Sequence, residues 1–174
     1  MTAINARTLI GRAVVSVTDG EKLGLISNVQ LDLTERIVLG FLMGGDGGIF
    51  NREKPSFVPF AQVRTFGRDA VTIQDKSGIT IAEGAPHNTA ATLGDLKKRV
   101  VSASGEVIGD GEDVGFDDAS GAITALQLAP QGGFLGIGAA THTVPIEEVV
   151  GFGRDVITVH DAALTRGQPD APQQ

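Results

Sequence analysis

Asp110, Glu112, Asp113, Asp117 and Asp118 form the densest group of carboxylates in the chain. Clustered carboxylates are the donor set that a hard cation such as calcium takes. An EF-hand loop opening at Asp110 would need an oxygen donor at its fifth position and a glutamate at its twelfth. Val114 and Gly121 stand there instead. The stretch reads better as a solvated acidic strand, on which strict alternation sends Asp113 outward. Asp110, Glu112, Asp113 and Asp117 are therefore read as an acidic partner-binding face, and no metal site is expected.

Other chemistry-bearing residues assemble less. The run Gly133-x-x-Gly136-x-Gly138 has the spacing of a phosphate loop. Such a loop must follow a strand and open a helix, and Thr141–Pro145 continues in β-like fashion with no lysine to reach a phosphate. It is read as a hairpin loop. His87, His142 and His160 are too dispersed for a ligand motif, and no Gly-x-Ser-x-Gly elbow supplies a serine nucleophile. Cysteine is absent, which removes thiol catalysis, thiolate metal sites and disulfides. Asp117 and Asp118 project to opposite faces of a strand and cannot share a proton. The repeated groups Gly67-Arg68-Asp69 and Gly153-Arg154-Asp155 have the composition of hairpin turns. No catalytic residues and no cofactor are expected, and the chain is read as a non-enzyme.

Charge points toward a basic partner. The 174 residues carry a formal charge of −7. Residues 1–80 hold 9 basic and 8 acidic side chains, whereas residues 81–174 hold 5 and 13. An acidic chain is a poor sequence-independent ligand for nucleic acid, and its 5% aromatic content, all of it Phe, offers few stacking platforms. The longest apolar run, Ile37–Met43, is far shorter than a spanning helix requires. The opening residues lack the apolar core of a signal peptide. A cytoplasmic chain without a transmembrane segment is expected. Its acidic second half would steer a basic protein partner, and self-association through the Gly-rich loops and Ile37–Met43 is a further expectation.

The elements that must carry these residues occur twice. Residues 57–75, FVPFAQVRTFGRDAVTIQD, return as residues 143–161, TVPIEEVVGFGRDVITVHD. Val58, Pro59, Val63, Phe66, Gly67, Arg68, Asp69, Thr72 and Asp75 recur 86 positions later. Upstream, Val14-Val15-Ser16 returns as Val100-Val101-Ser102. After a one-residue deletion, Gly20-Glu21, Gly24, Val29 and Asp32 return as Gly105-Glu106, Gly109, Val114 and Asp117. A period this long signals two copies of one small domain rather than a solenoid. Within a copy, Leu23, Leu25, Val29, Leu31 and Leu33 alternate with smaller or polar residues, which predicts a half-buried strand. Ile37–Met43 is apolar on both faces, as a covered strand would be. Ala61-Gln62-Val63 has room for one helical turn, and no segment sustains a 3.6-residue period. The expected fold is all-β: two tandem small closed barrels of about six short strands each, with little helix. The first barrel is set at residues 1–80, a linker at 81–94, the second barrel at 95–165 and a frayed tail at 166–174.

This pattern resembles the PRC-barrel family, named for the cytoplasmic domain of the photosynthetic reaction centre H subunit. The resemblance is carried by Gly20-Glu21-Lys22-Leu23-Gly24, by Asp32 and Asp117 at strand ends, and by the closing segments Val58–Val71 and Val144–Ile157. Gly132–Gly138 is similar to the loop before that segment in bacterial members. The family implies a docking module, so the leading expectation is a protein-binding scaffold. A peripheral accessory role in a photosynthetic or other membrane complex, like the H subunit, is one alternative. An accessory factor in ribosome assembly or RNA processing, as in ribosome maturation factors, is another.

Overall fold

The structure, a computed structural model, describes residues 2–44, 56–81, 90–130 and 142–166. The Gly132–Gly138 loop, residues 82–89 of the linker set at 81–94, His87 among them, and residues 167–174 of the tail lie outside the described residues.

The described chain is all-β with little helix. Fifteen strands run in order: β1 (Ala3–Asn5), β2 (Ala13–Ser16), β3 (Lys22–Asp32), β4 (Ile37–Gly44), β5 (Ser56–Pro59), β6 (Val63–Phe66), β7 (Ala70–Ile73), β8 (Thr80–Ile81), β9 (Ala90–Thr92), β10 (Arg99–Ser102), β11 (Val107–Asp117), β12 (Ile123–Leu128), β13 (Thr143–Pro145), β14 (Val149–Phe152) and β15 (Val156–Val159). Single 3-10 turns at Ala6–Leu9, Phe60–Gln62, Leu93–Leu96 and Ile146–Glu148, and a short helix α1 (Ala162–Arg166), join or end them. The turn anticipated at residues 61–63 is the 3-10 turn Phe60–Gln62.

Each repeat makes one sheet in the same order. The first runs β6-β7-β2-β3-β4-β5, extended by the short β8; the second runs β14-β15-β10-β11-β12-β13. The outer strands of each path, β5 with β6 and β13 with β14, are consecutive in the chain and linked by one three-residue 3-10 turn. Each sheet therefore curls until its two ends meet. Closure by hydrogen bonds, the expected barrel, is not seen among the described residues: a seam remains, spanned by the 3-10 turn.

The hairpins that close the repeats follow one scheme. Gly67 N–H donates to Ala70 C=O at 2.9 Å and Gly153 N–H to Val156 C=O at 3.0 Å. Arg12 Nη1 donates to Gly67 C=O at 2.7 Å, and Lys98 Nζ, 86 positions later, to Gly153 C=O at 3.0 Å. A cation at the start of β2 or β10 thus ties each hairpin to the strand that pairs with it in parallel.

Strict alternation fails in both long strands at the same place. Pairing shifts between Ile26 and Asn28 in β3 and between Gly111 and Asp113 in β11. One extra residue turns every following side chain to the other face. Ile26 is consequently buried and Leu25 only half-buried. The solvated Asp113 is corrected for a different reason: it lies on the face opposite Val114, paired with Gln127, yet is only 5% exposed, because the segment carrying Arg7 covers that face.

Candidate functional site

The two repeats exchange their leading strands. β1, which precedes the first repeat, pairs antiparallel with β11 of the second, setting Ala3 opposite Asp117, Ile4 opposite Phe116 and Asn5 opposite Gly115. β9, which precedes the second repeat, pairs with β3 of the first, setting Ala90 opposite Asp32 and Ala91 opposite Leu31. The exchange is reciprocal, because Asp32 and Asp117 are equivalent positions. Each strand is followed by a 3-10 turn that delivers a leucine to the core, and Leu9 and Leu96 are both fully buried. Two arms thus cross between the repeats and share one continuous core.

The carboxylates of the second repeat serve this junction. Asp118 Oδ1 accepts from Thr2 N–H at 2.9 Å. Asp113 accepts Arg7 N–H on both oxygens, at 3.0 and 3.1 Å, and its own neighbour Val114 N–H at 2.8 Å. It caps the 3-10 turn Ala6–Leu9, whose N-cap residue Asn5 makes no side-chain cap. Burial pushes the Asp113 carboxyl above its ordinary value, with the Val114 and Arg7 N–H groups pulling the other way. The Arg7 guanidinium closes the clasp, donating to Glu112 C=O at 3.1 Å and pairing with the Glu112 carboxylate at 3.2 Å. The equivalent turn Leu93–Leu96 is capped from within, by a Thr92–Asp95 capping box.

The four acidic residues read from the sequence therefore have different placements. Asp110 is exposed and pairs with Arg99 at 3.0 Å. Glu112 is half-buried against Arg7, and Asp113 is buried. Asp117, half-buried, turns back on Ser120, whose hydroxyl and N–H hold its carboxyl below the usual range. No group of three or more metal-ligating side chains occurs among the described residues. No described helix is long and apolar enough to cross a membrane.

Two shallow clefts border the arm junction and share Lys97. One, of about 310 Å³, is lined by Arg7, Ile10, Asn28 and Leu93 among others. The second, about 270 Å³, lies over Asp110, Gly111, Glu112 and Ala129. Sequence reasoning did not single out Lys97, Arg7 or Ile10. Nothing in their local pattern places them together, since only the strand exchange does so.

A second contact joins the repeats at the turns after β3 and β11. Ile37 bridges Ala122, Val38 N–H donates to Gly121 C=O and Ile123 N–H donates to Arg36 C=O, both at 2.8 Å. The bonds are reciprocal, since Arg36 and Gly121 are equivalent positions, and both have positive φ, 57° and 75°.

Residues 1–79 match the family model of the PRC-barrel domain. A stretch of 64 residues is 28% identical to a Bacillus subtilis (strain 168) protein described as probable sporulation protein YlmC. It covers 35% of this chain and 79% of that protein.

Proposed function

We propose that this chain, whose residues 1–79 belong to the PRC-barrel domain family, is a non-catalytic scaffold that binds a protein partner on its outer surface. The observation that carries this reading is the reciprocal strand exchange. It couples two repeats of the same strand order into one body with a single core, and so holds their outer surfaces in fixed relation, as a scaffold requires. We read the second repeat as a second domain of the same kind, a reading supported by the same order of strands and by Val144–Ile157, which restates Val58–Val71.

The contact region we assign is the furrow along the arm junction, from Ile10 across Lys97 to Asp110 and Glu112. Ile10 is 41% exposed at its rim, an apolar anchor beside charged groups. Asp110 and Glu112 are held by Arg99 and Arg7 in part-exposed ion pairs, which are weak enough for a basic partner to exchange with, and the surplus charge of the second half would raise that partner's encounter rate. Fold alone does not fix function, so the test is on the surface. Affinity capture with the wild type and with D110N/E112Q, at low and at high salt, should recover a partner that the variant or salt releases. A partner retained equally by both, at both salt levels, would contradict this assignment.

A further inference from the structure

We infer that the face joining the two repeats carries an address: it fits a repeat of the other type and rejects a second copy of its own.

The address lies at Arg36 and Gly121. Beside Arg36 stands the seam of the second repeat, and its guanidinium donates to the two carbonyls there, Ile146 C=O at 3.0 Å and Val149 C=O at 2.8 Å. Beside Gly121 stands the equivalent seam of the first repeat, closed by Phe60. A Cβ on Gly121 would lie 3.2 Å from the Phe60 ring. That is tighter than an ordinary contact, so no longer side chain fits unless the ring moves. The two sides of the junction are thus filled differently: a long cation over an isoleucine on one side, a bare backbone under a phenylalanine on the other.

The surrounding residues repeat the difference. On the Gly121 side, Phe60 and Phe66 lie 5.8 Å apart, and both meet Phe116 of the second repeat, at 6.2 and 5.6 Å. Phe41 adds an edge contact to Phe66 at 5.6 Å. The positions equivalent to Phe41, Phe60 and Phe116 are Leu126, Ile146 and Leu31, all aliphatic. A first repeat facing another first repeat would drive Arg36 into Phe60. A second repeat facing another second repeat would leave the Ile146 and Val149 carbonyls without the guanidinium that serves them. Specificity built from a misfit as well as a fit is what separates closely related partners. The partner that suits each face is the other repeat, and a second copy of the same repeat is excluded.

The test transposes the address in the full-length chain. G121R should lower the melting temperature well below that of the wild type. F60I/G121R should recover much of the loss, because an isoleucine at 60 recreates the seam that already holds Arg36. A double variant melting at the sum of the two single losses, or lower, overturns the inference. Should G121R not fold, recovery of a folded F60I/G121R chain supports it and failure to recover overturns it. R36G provides an independent arm. It relieves a left-handed non-glycine residue but removes two hydrogen bonds, so the address predicts a lower melting temperature. A melting temperature at or above the wild type would overturn it.

Discussion

Arg7 and Asp113, 106 residues apart in the chain, meet where the first arm docks on the second repeat, the backbone N–H of one held between both carboxylate oxygens of the other. This contact gives the acidic surplus of the second repeat a structural use. Asp113, Glu112 and Asp118 all bond to residues 2–7, so part of the negative charge faces inward, to the chain's own leading strand.

The first prediction concerns that carboxylate. D113N keeps an oxygen that can accept from Arg7 and Val114, as Asn28 does from Val29 at the equivalent position, and should unfold in urea within about 1 kcal/mol of the wild type. D113A leaves the buried N–H of Arg7 without its acceptor and should lose about 1–3 kcal/mol.

A second prediction sets the pH dependence of the same pair of proteins. The folded Asp113 carboxyl is raised above 3.8, so its contribution is fully present below that value and is lost as pH rises through its folded value. D113N should therefore gain on the wild type between acidic and neutral pH. Asp19, Asp75, Asp117 and Asp161 have the opposite sign. Hydrogen bonds from Ser16, Ser77, Ser120 and Ser104, in that order, are the main cause in each and lower their values. Their stabilisation is present above 3.8 and fades as pH falls through the folded values, and D117N should flatten that acid limb. Urea midpoints measured across the acid range read both effects.

Close backbone packing, at the second arm and between β4 and β5, gives a third. A Cβ on Gly111 would stand 2.3 Å from Leu96 C=O, and one on Gly40 would stand 2.3 Å from Val58 C=O. In both cases the obstacle is backbone, which cannot rotate away. G111A and G40A should each cost about 1–3 kcal/mol or more, read as a fall in the denaturation midpoint. G94A is the control: the nearest atom to its Cβ would be Thr92 Oγ1 at 3.5 Å, an ordinary contact.

A fourth prediction concerns the buried leucines of the arms. L9A and L96A each empty a fully buried site and should each lose about 2–5 kcal/mol. Because the arms cross, the loss should appear in one cooperative transition for the whole chain. Tryptophan reporters at Phe66 and Phe152, one per repeat in a chain that lacks tryptophan, should unfold together.

The sequence carried much of the fold. Val58-Pro59 and Val144-Pro145, the Gly-Arg-Asp turns and the matched Asp32 and Asp117 disclosed the repeat, and with it the order of strands. The exchange was hidden for a physical reason. Ala3-Ile4-Asn5 is three residues long and has no period. β3 and β11 are equivalent strands, so nothing local says which one it joins. Alternation from Val114 does put Asp113 on the outer face, but that face is covered by the arm carrying Arg7, 106 residues away, and nothing near Asp113 signals it. Arg36 showed no signal either, since its partners are backbone carbonyls that any sequence would supply.

The central claim is that the crossed arms make the two repeats one body. Native-state hydrogen exchange on L9A tests it most directly. The account predicts that removing this side chain, which precedes the first repeat, raises exchange in β11 and β12 of the second repeat as well as in β2 and β3. Faster exchange confined to residues 2–32, with β11 and β12 protected as in the wild type, would contradict it.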